Sequence, residues 1–226
     1  VSVKDRLQEI QGLIEDACAR ANRESKDINI VAVTKYVSID RASEALNAGI
    51  VHIGENRLEE GLNKWKAIGD KAVWHFIGNL QSRKVKDMID KFDYIHSLDR
   101  KSLAKEINKR APVNKKMKCF VQVNVSGEES KSGVEPEEVI PFIKDMANYP
   151  AIEVVGLMTM APFIEAEEVR PYFRRLRELK EEVESLQLSH APCKELSMGM
   201  SNDFVVAIEE GATFVRIGSS LVGKEK

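Results

Sequence analysis

The stretch INIVAVTK, residues 28–35, decides the fold. Its centre, IVAV at 30–33, is apolar at consecutive positions and rich in β-branched side chains. A strand with one wet face alternates apolar and polar residues. One that is apolar on both faces is covered on both, as parallel strands under helices are. Seven further runs of similar character follow, at Ile50–Gly54, Val73–Gly78, Tyr94–Leu98, Met117–Val125, Val154–Ala161, Glu195–Met198 and Phe214–Gly218. Between them lie helical patterns at 38–48, 55–68, 80–91, 99–110, 135–148, 165–187 and 202–210, and a long one at 2–24 precedes the first strand. Ser38 and Asp99 stand where N-caps belong, and Gly49 and Gly211 just past helix ends. Eight strands, each after the first preceded by a helix, predict an α/β fold: a single (β/α)8 TIM barrel over 1–226 with an extra N-terminal helix. An open doubly wound sheet is the runner-up, weakened because no G-x-G-x-x-G follows the first strand.

Composition excludes several classes. A formal net charge of -2 gives no basic excess for nucleic acid or an anionic membrane. Cys18, Cys119 and Cys193 are widely spaced, with no C-x-x-C or Cys/His cluster, so neither a disulfide framework nor a metal site is expected. The N-terminal stretch is charged and helix-like rather than a signal peptide, and no apolar run approaches about 18 residues. A soluble, cytoplasmic protein is expected.

Three places could carry chemistry. Side chains alternate along a strand, so Val31, Val33 and Lys35 share a face. If that face is inward, Lys35 sits at the rim of an apolar barrel, where partial desolvation favours its neutral, nucleophilic form toward aldehydes. In ELSMGMSNDF, residues 195–204, a turn around Ser197–Ser201 leads into a helix whose free N–H groups suit an anion. In FVRIGSSLVG, residues 214–223, Arg216 shares a face with Phe214 and Gly218, and Gly218, Ser219 and Ser220 follow strand eight. The loops after strands seven and eight are the frequent phosphate site of this fold, so a phosphorylated ligand is expected. His75 reads equally as a ring-contacting residue and as a satisfied core histidine. Asn56 points to the same mouth, and His52, His96 and His190 read as structural. The polar segment 126–133 reads as a loop on the same end of the barrel.

With these residues in place, the chain resembles the pyridoxal phosphate homeostasis proteins, single-domain relatives of the alanine racemase barrel. The likeness rests on AVTK at 32–35, IGEN at 53–56, WHFIG-x-LQ at 74–81, KSG at 131–133, GLM at 156–158, LSMGMS at 196–201 and VRIG-x-x-x-x-G at 215–223. It implies a fold type III-like barrel that carries pyridoxal 5′-phosphate (PLP) as a Schiff base on Lys35. It implies that the phosphate rests on the turn around Ser201 and on Gly218 and Ser219, and that Arg216 faces the pyridine nitrogen. Asn56, His75, Ser197 and Met200 are expected around the ring. Tyr36, Arg57 and Arg83 depart from the commoner family pattern.

Three readings stand at this point: a PLP carrier with no committed reaction, a PLP-dependent racemase, and a Schiff-base enzyme acting on a phosphosugar. The carrier is favoured, because racemases of this fold take an opposing tyrosine from an added domain and a partner, and only Tyr36 is expected near the mouth here. A monomer is expected, with apo PLP enzymes as acceptors.

Overall fold

The computed structural model describes residues 1–129 and 131–225. Ser130, within the polar segment 126–133, and Lys226 lie outside the described residues. Eight strands form a closed, all-parallel barrel in sequence order. They are β1 (Asn29–Val33), β2 (His52–Glu55), β3 (Val73–Phe76), β4 (Tyr94–Leu98), β5 (Met117–Gln122), β6 (Ile152–Met158), β7 (Glu195–Ser197) and β8 (Phe214–Ile217). Closure comes from β1 on β8, with Val31 opposite Arg216.

The helices are α1 (Val3–Arg20), α2 (Ile39–Asn47), α3 (Leu58–Ile68), α4 (Val85–Met88), α5 (Lys101–Arg110), α6 (Val139–Asp145), α7 (Ala166–Ser185), α8 (Phe204–Glu209) and α9 (Ser219–Val222). Their inner faces and the outward strand residues make the main core, in which Trp74, Phe76, Phe92 and Phe173 are fully buried or nearly so. A smaller cluster of Val31, Phe120, Val155, Met158 and Phe214 fills part of the barrel interior. The N-terminal helix α1 packs on α8 and α9, across the β8–β1 seam.

Of the two N-caps read from sequence, one holds. Ser38 caps α2 by accepting from Arg41 N–H at 3.1 Å. Asp99 does not cap α5. The N-cap is Arg100, and the Asp99 carboxylate instead accepts from the Gly133 N–H at 3.2 Å, tying the β4 end to the loop after β5. The stretch 80–91 yields only a 3-10 turn at Ser82–Lys84 and the one-turn α4. The stretch 135–148 is a helix only over α6, with 3-10 turns on either side.

Candidate functional site

Every strand-to-helix turn opens on one end of the barrel, and there a cavity of about 710 Å³ lies over the interior, within the usual range of small-molecule sites. Lys35, Asn56, Met200, Ser201, Arg216, Gly218 and Ser219 line it together. These residues come from four strand ends, which only closure of the sheet brings to one place.

Lys35 lies two residues past the end of β1 and is exposed at the mouth. The expectation of an amine desolvated by the barrel rim is therefore not met; its neighbour Thr34 is the buried one. Thr34 donates its hydroxyl to Glu55 Oε1 at 2.6 Å, and the Lys64 ammonium donates both to Glu55 Oε1 and to the Thr34 carbonyl, each at 2.7 Å. The ends of β1 and β2 are locked together directly behind Lys35. On the outer side Tyr36 adopts φ 66°, with Lys35 5.6 Å and Arg57 5.2 Å from its ring centroid. Two of the three departures from the family pattern, Tyr36 and Arg57, are thus a contacting pair on the rim.

Arg216 is 2% exposed. Its guanidinium donates to Ser197 Oγ and, at 2.9 Å, to the Thr159 carbonyl, and neither partner is a carboxylate. Burial pushes it down to about 10, with Asp203 opposing, so it stays cationic at neutral pH. A buried cation held only by neutral acceptors is costly, and its position in the cavity lining points to a ligand that completes its environment. Asn56 Oδ1 is likewise buried and has no hydrogen-bond partner.

The turn before α8 is closed by Asp203, which accepts from Met200 N–H at 2.7 Å. Gly199 sits there at φ 99°, and a Cβ on it would stand 2.6 Å from Ala207 Cβ. Ser219 and Ser220 open α9, so their N–H groups have no intrahelical acceptor.

His75 and Ser197 do not line the cavity. Both have 0% exposure and sit beneath Arg216 in the barrel interior. His75 is stacked on Tyr94 at 4.4 Å between centroids. Sequence reasoning missed Gln122 and Asn124, which also line the cavity. Their polar side chains alternate at the end of β5 in FVQVNV, and that was the available signal. It also missed Lys64, whose helical position gives no hint of a buried partner.

A closed parallel barrel with an amine after its first strand and an arginine on its last belongs to the class of the alanine racemase N-terminal domain, whose family model matches residues 12–226. A pyridoxal phosphate homeostasis protein of Aquifex aeolicus (strain VF5) is 46% identical over 228 residues, covering 98% of each chain. The solved structure of PipY from Synechococcus elongatus with PLP bound superposes with a TM-score of 0.84 at 30% identity, covering 98% of this chain and 100% of that one. The chain belongs to the pyridoxal phosphate homeostasis protein family. Alanine racemase from Corynebacterium glutamicum, at TM-score 0.73 and 15% identity, covers 96% of this chain and 60% of its own, and shares the fold alone.

Proposed function

We propose that this protein holds PLP as a Schiff base on Lys35 and serves intracellular PLP homeostasis as a carrier rather than as an enzyme. The observation that carries the reading is the convergence of Lys35, Arg216 and Gly218–Ser219 on one cavity. When bound, PLP supplies an electrophilic aldehyde and an anionic phosphate on a planar ring. The residues present fit that group: an amine in reach of solvent, free N–H groups at Ser219 and Ser220, a buried cationic donor, and the unpartnered Asn56 Oδ1. With PLP bound, Arg216 would face the ring nitrogen and disfavour a proton there, which would leave a poor electron sink.

The lining also supports a non-catalytic role. Racemisation needs acid–base groups on both faces of the substrate carbon. Among the described residues, no tyrosine, carboxylate or histidine lines this cavity; its charged members are Lys35, Lys131 and Arg216. Met160 and Met200 at the rim are themselves exposed and form no cover over the cavity. A cytoplasmic monomer that passes PLP to apo-enzymes completes the reading.

Borohydride reduction of the PLP-loaded protein, followed by peptide mass spectrometry, tests it. The adduct is expected on Lys35 and lost in Lys35→Ala with the barrel intact by circular dichroism. An adduct kept on another lysine overturns the assignment.

A further inference from the structure

The barrel interior holds a line of polar side chains that cofactor attachment does not use. His52 Nδ1 lies 2.9 Å from His75 Nε2, and His75 Nδ1 lies 2.8 Å from His96 Nε2. His96 Nδ1 lies 2.8 Å from Ser197 Oγ, which also meets Arg216 Nη1. The line thus runs from the first residue of β2 to the cavity floor. His75, His96 and Ser197 are wholly buried. Tyr94 stacks on His75 and Phe120 on His96, at 4.4 and 4.3 Å between centroids, which fixes the ring planes.

The protons in this line have one arrangement that satisfies every group. A guanidinium has donors only, so Ser197 Oγ accepts from Arg216. The single hydroxyl proton of Ser197 then needs an acceptor, and His96 Nδ1 is the one its oxygen meets. His96 is therefore neutral with its proton on Nε2, which faces His75 Nδ1. The same step repeats: His75 carries its proton on Nε2 and donates to His52 Nδ1, so His52 is also the Nε2–H form. A second proton on His52 Nδ1 or His75 Nδ1 would set two donors face to face, and one on His96 Nδ1 would leave the Ser197 hydroxyl proton without its acceptor. Burial first, and then the charge of Arg216, hold His96 well below the usual histidine range, in keeping with a neutral line.

We propose that this line is a positioning device for Arg216. The cation imposes one tautomer on three histidines in series. The polarised line in return pins Ser197, and through it the guanidinium, in the cavity lining. His96 is the positioning residue, and His75 and His52 hold it in register. The consequence for a bound ring rests on the reading of Arg216 given above; the proton arrangement does not.

The test is long-range ¹H–¹⁵N NMR of the histidine rings in wild-type protein free of PLP at neutral pH. His52, His75 and His96 are expected as neutral Nε2–H tautomers. Any one of them found as Nδ1–H or as a cation overturns the inference. His96→Gln keeps an acceptor toward Ser197 and a donor toward His75, and His96→Leu has neither. Glutamine is expected to preserve the His75 tautomer and the visible absorption maximum of the PLP-loaded protein. Leucine is expected to mix the tautomers and shift the maximum. A folded His96→Leu protein with both signals unchanged overturns the positioning role. If no adduct forms on Lys35 in wild type, the cofactor reading fails and the tautomers alone decide the inference.

Discussion

The ammonium of Lys64 donates at 2.7 Å to the carbonyl of Thr34, the residue that immediately precedes Lys35. The same nitrogen meets Glu55 Oε1, so a buried ion pair, 5% and 0% exposed at its two side chains, fixes the backbone that leads into Lys35. It joins α3 to the ends of β1 and β2. A hydrogen bond made to a main-chain carbonyl fixes the chain itself, whereas a side-chain contact fixes only a rotamer.

Lys64→Met strands the Glu55 carboxylate in the interior. Breaking a buried pair in this way costs about 3–5 kcal/mol. Burial holds Glu55 above the usual carboxylate range, against the hydrogen bonds from Lys64 and Thr34, and loss of Lys64 raises it further. A carboxyl raised on folding contributes stability that is present at low pH and lost as pH rises through its folded value. The deficit relative to wild type, measured by urea denaturation, is therefore expected to be larger at pH 8 than at pH 5. An equal deficit at both pH values would mean Glu55 is not the group left behind.

Gly199→Ala tests the turn before α8. The residue would have to keep φ 99° and place its Cβ 2.6 Å from Ala207 Cβ. Strain and overpacking together are expected to cost about 1–3 kcal/mol. PLP affinity, followed by titration of the visible band, is expected to fall with it, because Met200 and Ser201 sit in the same turn. Wild-type stability with wild-type affinity would show that the turn re-forms without glycine.

Glu210 is expected to contribute to stability on the acid side. It is 5% exposed and accepts from Arg170 at 2.8 Å and from Arg174 and Arg177 at 3.1 Å. Burial pushes its carboxyl up, but the hydrogen bonds from Arg174 and Arg170 outweigh this and leave it below its ordinary value. A carboxyl lowered on folding contributes stability that is present above its unfolded value, about 4.3 for glutamate, and lost as pH falls through the folded one. Glu210→Gln is expected to cost about 1.5–3 kcal/mol at pH 7, toward the lower figure because Arg174 is half exposed. Its thermal midpoint is expected to fall less steeply than wild type below pH 4. Parallel acid limbs would remove Glu210 from that role.

Incubation of the PLP-loaded protein with L-alanine is expected to give no appreciable D-alanine by chiral chromatography. Turnover on the order of 1 s⁻¹, the low end of ordinary enzymes, would return the protein to the racemases.

Much of the site was legible because strand alternation and turn composition are local. Lys35, Arg216 and Gly218 could be set at the mouth from their place at strand ends, and the structure brings them to one cavity. Depth within the barrel was not legible. His75 faces inward as its place on β3 allows, yet it lies a layer below the cavity, beside Tyr94 and His96. Layer assignment depends on the stagger between neighbouring strands, such as His75 opposite Gly54 and Tyr94, which no single segment encodes. Asp99 failed as a cap for a related reason, since its carboxylate is taken by Gly133, 34 positions away.

The sequence by itself determined the eightfold alternation of strand and helix, the strand-end lysine and arginine, and the family. Those follow from side-chain period and residue identity, which act over a few positions. Only the tertiary structure decided that Lys64 lies buried against Glu55 behind Lys35, and that three histidines from adjacent strands join in series beneath Arg216. Such contacts are set by closure and register of the whole sheet, and a hydrogen bond across a barrel forms only between atoms that the closed sheet has already brought within 3 Å.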